Sequence, residues 1–225
     1  MSSRADTSGA NFIDNDEAEL DAEIERVKKE VDIAAALGTK LMRHDVAYRA
    51  PEDTSLEQFE KDLPVIVKGC RAVADYAAQY GITTSIENHG YHVQHFDRVQ
   101  RVIKEVDREN FKTTIDIGNF VVVDINPLAA VRQNAPLASM VHVKDFFLRN
   151  AERDPGEGFN KSRGGNYWRG AIAGHGDIDI QAALQILKDA GYDGYLSLEF
   201  EGMEDCLRGA EIGLKNLQRY VSKLQ

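Results

Sequence analysis

Apolar and polar residues along the chain switch repeatedly between two periods. Over "DEAELDAEIERVKKEVDIAAALG" (residues 16–38) apolar positions recur at helical spacing behind an acidic first turn, and Gly38 stands where a helix stops. "TKLMRHDV" (39–46) then reads as a short strand. "TSLEQFEKDLPVIVKGCRAVADYAAQYG" (54–81) opens on a Thr/Ser cap and closes on Gly81, which predicts a helix, with Pro64 marking a kink or a break inside it. The alternation continues: "ITTSIEN" (82–88) as strand, "FDRVQRVIKEVD" (96–107) as helix, "FKTTIDIGN" (111–119) as strand and "PLAAVRQNA" (127–135) as helix. "ASMVHVKDF" (138–146) is a strand, and a Gly/Arg/Asn-rich loop is expected from about Leu148 to Gly176. "IDIQAALQILKDAG" (178–191), "GYLSLEFEG" (194–202) and "EDCLRGAEIGLKNLQRYVSKL" (204–224) close the chain as helix, strand and helix.

Strand–helix–strand alternation predicts a parallel sheet with right-handed crossovers, either open and doubly wound or closed as a (β/α)8 barrel. Neither GxGxxG nor GxxxxGK[ST] follows any of these strands, which removes support from the phosphate-binding forms of the open sheet. Four strands instead end in a side chain that can ligate a metal: Glu87, Asp116, His142 and Glu199. The C-terminal strand ends of a barrel meet at one mouth, where such enzymes keep their chemistry. Parity fits this arrangement. Thr114 with Asp116, Met140 with His142 and Lys144, and Ser197 with Glu199 and Glu201 each share one face, opposite their apolar neighbours.

A single acid at a strand end is most often solvated or caps a helix. Three carboxylates brought together repel unless a cation or protons compensate them, so a divalent metal is the natural resolution. Oxygen donors with one imidazole suit Mn²⁺ or Mg²⁺, with Co²⁺, Fe²⁺ and Zn²⁺ as alternatives. Cys70 and Cys206 both fall in helical segments, which excludes a thiolate site and fits a reducing compartment. The formal charge of −10 disfavours nucleic acid as a partner. No apolar run approaches the ~20 residues a membrane span requires, and "MSSRADTSGANF" lacks the pattern of a secretory signal, so a soluble cytoplasmic protein is expected.

"SIENHG", "TIDIGNF", "MVHVKDF", "GHGDIDI" and "LSLEFEG", in that order, resemble the sugar phosphate isomerase/epimerase-like branch of the xylose isomerase-like TIM barrels. The resemblance extends over roughly residues 30–220. It implies a divalent cation, most often Mn²⁺, on Glu87, Asp116, His142 and Glu199. It further implies a small sugar or sugar-derived substrate, with Glu87 and Glu199 exchanging protons with adjacent carbons from opposite sides of it. Polarising a carbonyl acidifies the neighbouring C–H, and a carboxylate can then take the proton. Return to the other carbon isomerises, return to the other face epimerises, and loss of a β-substituent eliminates.

Further candidates surround this set. Lys144 and His175, the latter between two glycines in "GHGDID", are read as acid or base groups, and His89 as a contact to substrate hydroxyls. Arg43 and His44 end an earlier strand and are expected to face the same mouth, joined there by Glu201. Arg163 and Arg169 can clamp an acidic or phosphorylated substrate while Trp168 stacks on a sugar ring. Each has a plainer alternative: a loop contact for the histidines, an ion pair with Glu199 or Glu201 for Lys144, and loop packing or a subunit contact for the arginines. His92 and His95 are expected in a loop or at a helix start.

Counting back from Glu199, residues 1–225 form one barrel-type domain of about six β/α units, with "GANFI" at best the end of the third strand of eight and the first two units missing. Open parallel edges invite pairing. Three arrangements compete: a further N-terminal segment in the natural protein, a second copy or partner chain over the gap, or an N-terminus folded differently as a plug. Four functions compete: a metal-dependent isomerase or epimerase, a lyase such as a keto-inositol dehydratase or a glycoside-cleaving β-elimination enzyme, a DNA-repair endonuclease, and a non-catalytic subunit. The endonuclease needs more histidines than the six present, and a less acidic surface.

Overall fold

The computed structural model describes residues 5–224, and of residues 5–8 the backbone alone. Part of the N-terminal stretch read for a leader therefore lies outside the described residues. The chain divides into two compact units between Thr114 and Ile115.

In the first unit, β1 (Ala5–Ser8), β2 (Leu41–His44), β3 (Thr83–Glu87) and β4 (Phe111–Asp116) alternate with α1 (Glu17–Ala36), α2 (Leu56–Ala78) and α3 (Phe96–Val106). β4 contributes its last two residues to the second unit. All three strand pairs are parallel, with Arg43 opposite Ser85 and Glu87 opposite Thr114. The earliest described strand thus lies just before "GANFI" rather than within it. Asp16 forms a capping box with Glu19 at the start of α1, and Gly38 follows that helix with φ +73, the left-handed stop its position predicts.

The break or kink assigned to Pro64 is corrected in one respect: α2 passes through it from Leu56 to Ala78 without interruption. A proline costs a helix one hydrogen bond and a steric adjustment. Burial of Phe59, Leu63, Ile66, Val67, Cys70, Val73, Ala74 and Ala77 along one side of α2 outweighs that cost.

His44 is likewise corrected. It does not share the mouth-facing side with Arg43. Its ring lies fully buried between Phe12 and Phe111, with centroids 6.1 and 6.2 Å away. Successive strand residues alternate faces, so one of the pair had to enter the core. The Arg43 guanidinium has carboxylates to meet, whereas the flatter imidazole packs against rings and satisfies Nδ1 on the Asp45 carbonyl at 2.8 Å.

Burial pushes the His44 imidazole down from its ordinary 6.5 to about 4. The unfolded chain therefore binds the proton first, and stability is present above about pH 6.5 and lost as pH falls towards 4. Linkage puts the loss at about 3 kcal/mol. Denaturant unfolding of the wild type and His44→Leu across pH 4–7 measures it, and an identical pH slope in the two proteins would refute the assignment.

In the second unit, a 3₁₀ turn at Asn119–Val123 follows β4, and then come α4 (Pro127–Asn134), β5 (Ala138–Val143), β6 (Asp145–Arg149), β7 (Asn160–Lys161), β8 (Tyr167–Ala171), α5 (Ile180–Asp189), β9 (Leu196–Leu198) and α6 (Cys206–Val221). β5 and β9 pair in parallel with His142 opposite Ser197, and Ile117 donates its N–H to the His142 carbonyl at 3.1 Å. β6, β8 and β7 form a small antiparallel sheet.

That sheet corrects the loop expected from Leu148 to Gly176. Its stretches "DFFLR" and "YWRGA" pair with each other, so part of the span is strand, while the rest is turn and irregular backbone as expected. In chain order, six strands of the parallel set alternate with helices among the described residues, which is the plan of a (β/α)8 barrel two units short. Among those residues no helix is long and apolar enough to cross a membrane.

Candidate metal centre

Each unit carries part of the chemistry at its strand ends. In the first unit, Glu87 closes β3 as a buried carboxylate. The Arg43 guanidinium meets it at 2.8 Å through Nε and reaches Asp45 at 2.8 Å through Nη2. Ser85 and Thr114, on the same face, share a hydroxyl hydrogen bond of 2.8 Å. His89 lies beyond the strand with Nδ1 3.6 Å from Asp45. Burial works to raise the Asp45 carboxyl, and His89 and Arg43 together overcome it and hold the group below its ordinary value. The nearby Asp45 carboxylate raises His89 in turn. Arg43 is thus engaged by two carboxylates, and His89 keeps an exposed ring edge. His92 is a loop residue as expected but fully buried, 2.8 Å from Asp62.

The second unit brings Asp116, His142, Lys144, Glu199 and Glu201 to one place. Asp116 is fully buried, and its Oδ1 accepts the N–H groups of Gly118 and Asn119 at 2.8 and 2.9 Å. These are donors that the turn after β4 would otherwise leave unpaired. Oδ2 faces the Lys144 ammonium at 3.2 Å. His142 presents Nδ1 to Glu199 Oε1 at 2.8 Å. Lys144 reaches Glu199 Oε2 at 2.8 Å and Glu201 Oε1 at 3.0 Å. The His142 imidazole, 2.8 Å away, and Lys144 hold the Glu199 carboxyl down to about 2. Burial opposes the charge on Lys144, and Asp116, Glu199 and Glu201 outweigh it, leaving the amine above its ordinary value.

These groups fit a divalent cation. Asp116, His142 and Glu199 direct two carboxylates and an imidazole at one region, and the charge of the acids is already answered there by an ammonium. Such a donor set suits Mn²⁺ or Mg²⁺. Cys70 and Cys206 sit on α2 and α6 and do not join it.

The remaining candidates lie elsewhere. Arg169 and Trp168 do not act together, because neighbours on β8 point to opposite faces. Trp168 packs on Phe146 with centroids 4.8 Å apart, and the Arg169 guanidinium lies over Phe147 and Phe159 at 4.9 and 5.5 Å. Arg163 is exposed at the tip of the β7–β8 turn, held by its backbone N–H on the Val122 carbonyl.

His175 is exposed on the turn before α5. The glycines flanking it serve another group, since Gly174 and Gly176 donate their N–H to Asp145 Oδ2 at 2.8 and 2.9 Å. Asp145 escapes the sequence reading. Its parity next to Lys144 points it away from the mouth, and the only signal was a glycine-rich turn in need of an acceptor.

The sequence profile described as "Xylose isomerase-like TIM barrel" matches residues 2–220. An inosose dehydratase of Geobacillus thermodenitrificans is 23% identical over 143 residues, 63% of this chain and 48% of that protein. The chain spans about half the length of the curated relatives it matches. Among solved structures, a xylose isomerase-like TIM barrel protein of Mycobacterium smegmatis in complex with magnesium superposes with TM-score 0.71 at 18% identity, over 97% of this chain and 74% of that one. The 3-keto-D-glucoside 4-epimerase of Escherichia coli gives 0.71 at 19% identity, over 95% and 78%.

Proposed function

The chain belongs to the xylose isomerase-like TIM-barrel family, and from that premise we propose that it is a divalent-metal-dependent enzyme that isomerises or epimerises a sugar or sugar-derived ketone. The observation that carries this reading is the convergence of Asp116, His142 and Glu199 around the Lys144 ammonium. We assign Glu87 as fourth ligand. In support, Glu87 is a buried carboxylate at the end of its strand, as Asp116 is at the end of β4. A bound cation, with Mn²⁺ placed first, supplies the Lewis acidity that makes a C–H beside a carbonyl removable.

The chain's own groups then divide the work. Glu199, its carboxyl held at about 2, is ionised at neutral pH and so stands as the proton-accepting carboxylate, its basicity weakened by the same partners that keep it charged. Glu87 is the partner acid or base, oriented by Arg43. Lys144 offers positive charge where the enediolate oxygen develops. His89, with its exposed edge, contacts substrate hydroxyls.

Elimination is the second reading. The name of the matched relative, inosose dehydratase, favours it. Loss of a β-hydroxyl begins with the same proton removal.

All three outcomes share one measurable step. Incubation with Mn²⁺ in D₂O and a panel of ketoses, 3-keto-glycosides and keto-inositols is expected to place deuterium beside the carbonyl of at least one of them. An epimer, an isomer or a dehydrated product then separates the readings. Absence of both exchange and product across the panel would overturn the proposal.

A further inference from the structure

We infer that Lys144 is the resident counter-cation of this site: a tethered ammonium that holds the acids together without a metal and competes with the metal for them. The inference rests on the metal reading above and adds to it a competitor built into the chain. Only 5% of the Lys144 side chain is exposed, and burying an ammonium is unfavourable unless its donors are answered. Here they are. An ammonium has three donors, and Lys144 meets one oxygen each of Asp116, Glu199 and Glu201 at 3.2, 2.8 and 3.0 Å, with the Asn119 amide oxygen at 3.4 Å.

The three carboxylates differ in kind. Asp116 and Glu199 belong to the proposed ligand set. Glu201 does not, and half of its side chain is exposed. Lysine's flexible stem allows the ammonium to keep Glu201 while releasing the other two. Two cationic groups cannot share Asp116 and Glu199 at close range without strong repulsion in a partly buried site. Binding of the metal therefore requires Lys144 to withdraw towards Glu201, and the ion pairs it gives up weaken metal affinity. Glu201 is the positioning residue that receives it.

Calorimetric titration with Mn²⁺, alongside thermal melts with and without the ion, tests this. Lys144→Met is expected to bind Mn²⁺ about tenfold tighter than wild type or more, to melt lower without the ion, and to recover when it is saturated. Lys144→Arg keeps the charge and is expected to stay near wild-type affinity. Glu201→Gln removes the receiving group and is expected to weaken binding a few-fold. Because its side chain is half exposed, this variant decides the matter should Lys144→Met not fold. Wild type that binds Mn²⁺ with Lys144→Met no tighter would overturn the inference and leave the metal reading standing, and so would Glu201→Gln with unchanged or tighter binding. No Mn²⁺ bound by either wild type or Lys144→Met would overturn the metal reading itself, and this inference with it.

Discussion

Asp116→Asn is expected to lower Mn²⁺ affinity by about a hundredfold or more while leaving the fold intact. The two oxygens of Asp116 have separate duties. Oδ1 accepts Gly118 and Asn119 N–H, and Oδ2 faces Lys144. An asparagine can keep its amide oxygen on the two backbone donors, so the turn after β4 survives. Its NH₂ then points where Oδ2 stood, presenting donors to an ammonium and to any cation. Changes around a ligand, without loss of the ligand itself, already cost about 10–100-fold, which sets the lower bound here. Calorimetry with Mn²⁺ measures the effect, circular dichroism checks the fold, and binding equal to wild type would remove Asp116 from the ligand set.

Asp145→Ala acts on stability instead. Asp145 is 1% exposed and gathers N–H groups of Phe146, Gly174, Gly176 and Ile178 at 2.8, 2.8, 2.9 and 3.3 Å. Burial raises its carboxyl above the ordinary value, and these four donors pull against that shift. Deleting the carboxylate strands four donors, of which those of Phe146 and Ile178 are buried. At about 1–3 kcal/mol for each buried group left unmet, and with the glycine donors partly accessible, the expected loss is about 3–5 kcal/mol. The backbone approaches the carboxylate so closely that a Cβ on Gly176 would fall 2.2 Å from Asp145 Oδ1. Denaturant unfolding measures the loss, and a change under about 1 kcal/mol would mean that the turn carries its own stability. Asp145→Asn, which keeps one acceptor oxygen, is expected to fall between the two.

The succession of elements was legible because burial on helices and strands imposes different periods. α1, α3, α5 and the ends of β2, β3 and β5 lie within a few residues of where the apolar spacing puts them. Less legible was what the antiparallel β6–β8 pair does. Neither strand alternates apolar with polar residues, and the glycines, asparagines and arginines between and around them read as loop. Pro64 misled because a local penalty was weighed without the buried face it rides on. His44 misled because two adjacent strand residues cannot both face the mouth, a rule that parity already stated.

The site divides along the same line. By itself the sequence determined which residue types stand at the strand ends, Glu87, Asp116, His142 and Glu199, and on which face each lies relative to its neighbours, since backbone geometry fixes alternation within a strand whatever surrounds it. The tertiary structure alone decided how charge is answered. It put Lys144 among three carboxylates, left His175 exposed and gave its flanking glycines to Asp145. Those outcomes depend on distances between segments far apart in the chain. Electrostatic and hydrogen-bond energies change steeply over an ångström, and no local pattern of residues encodes that separation.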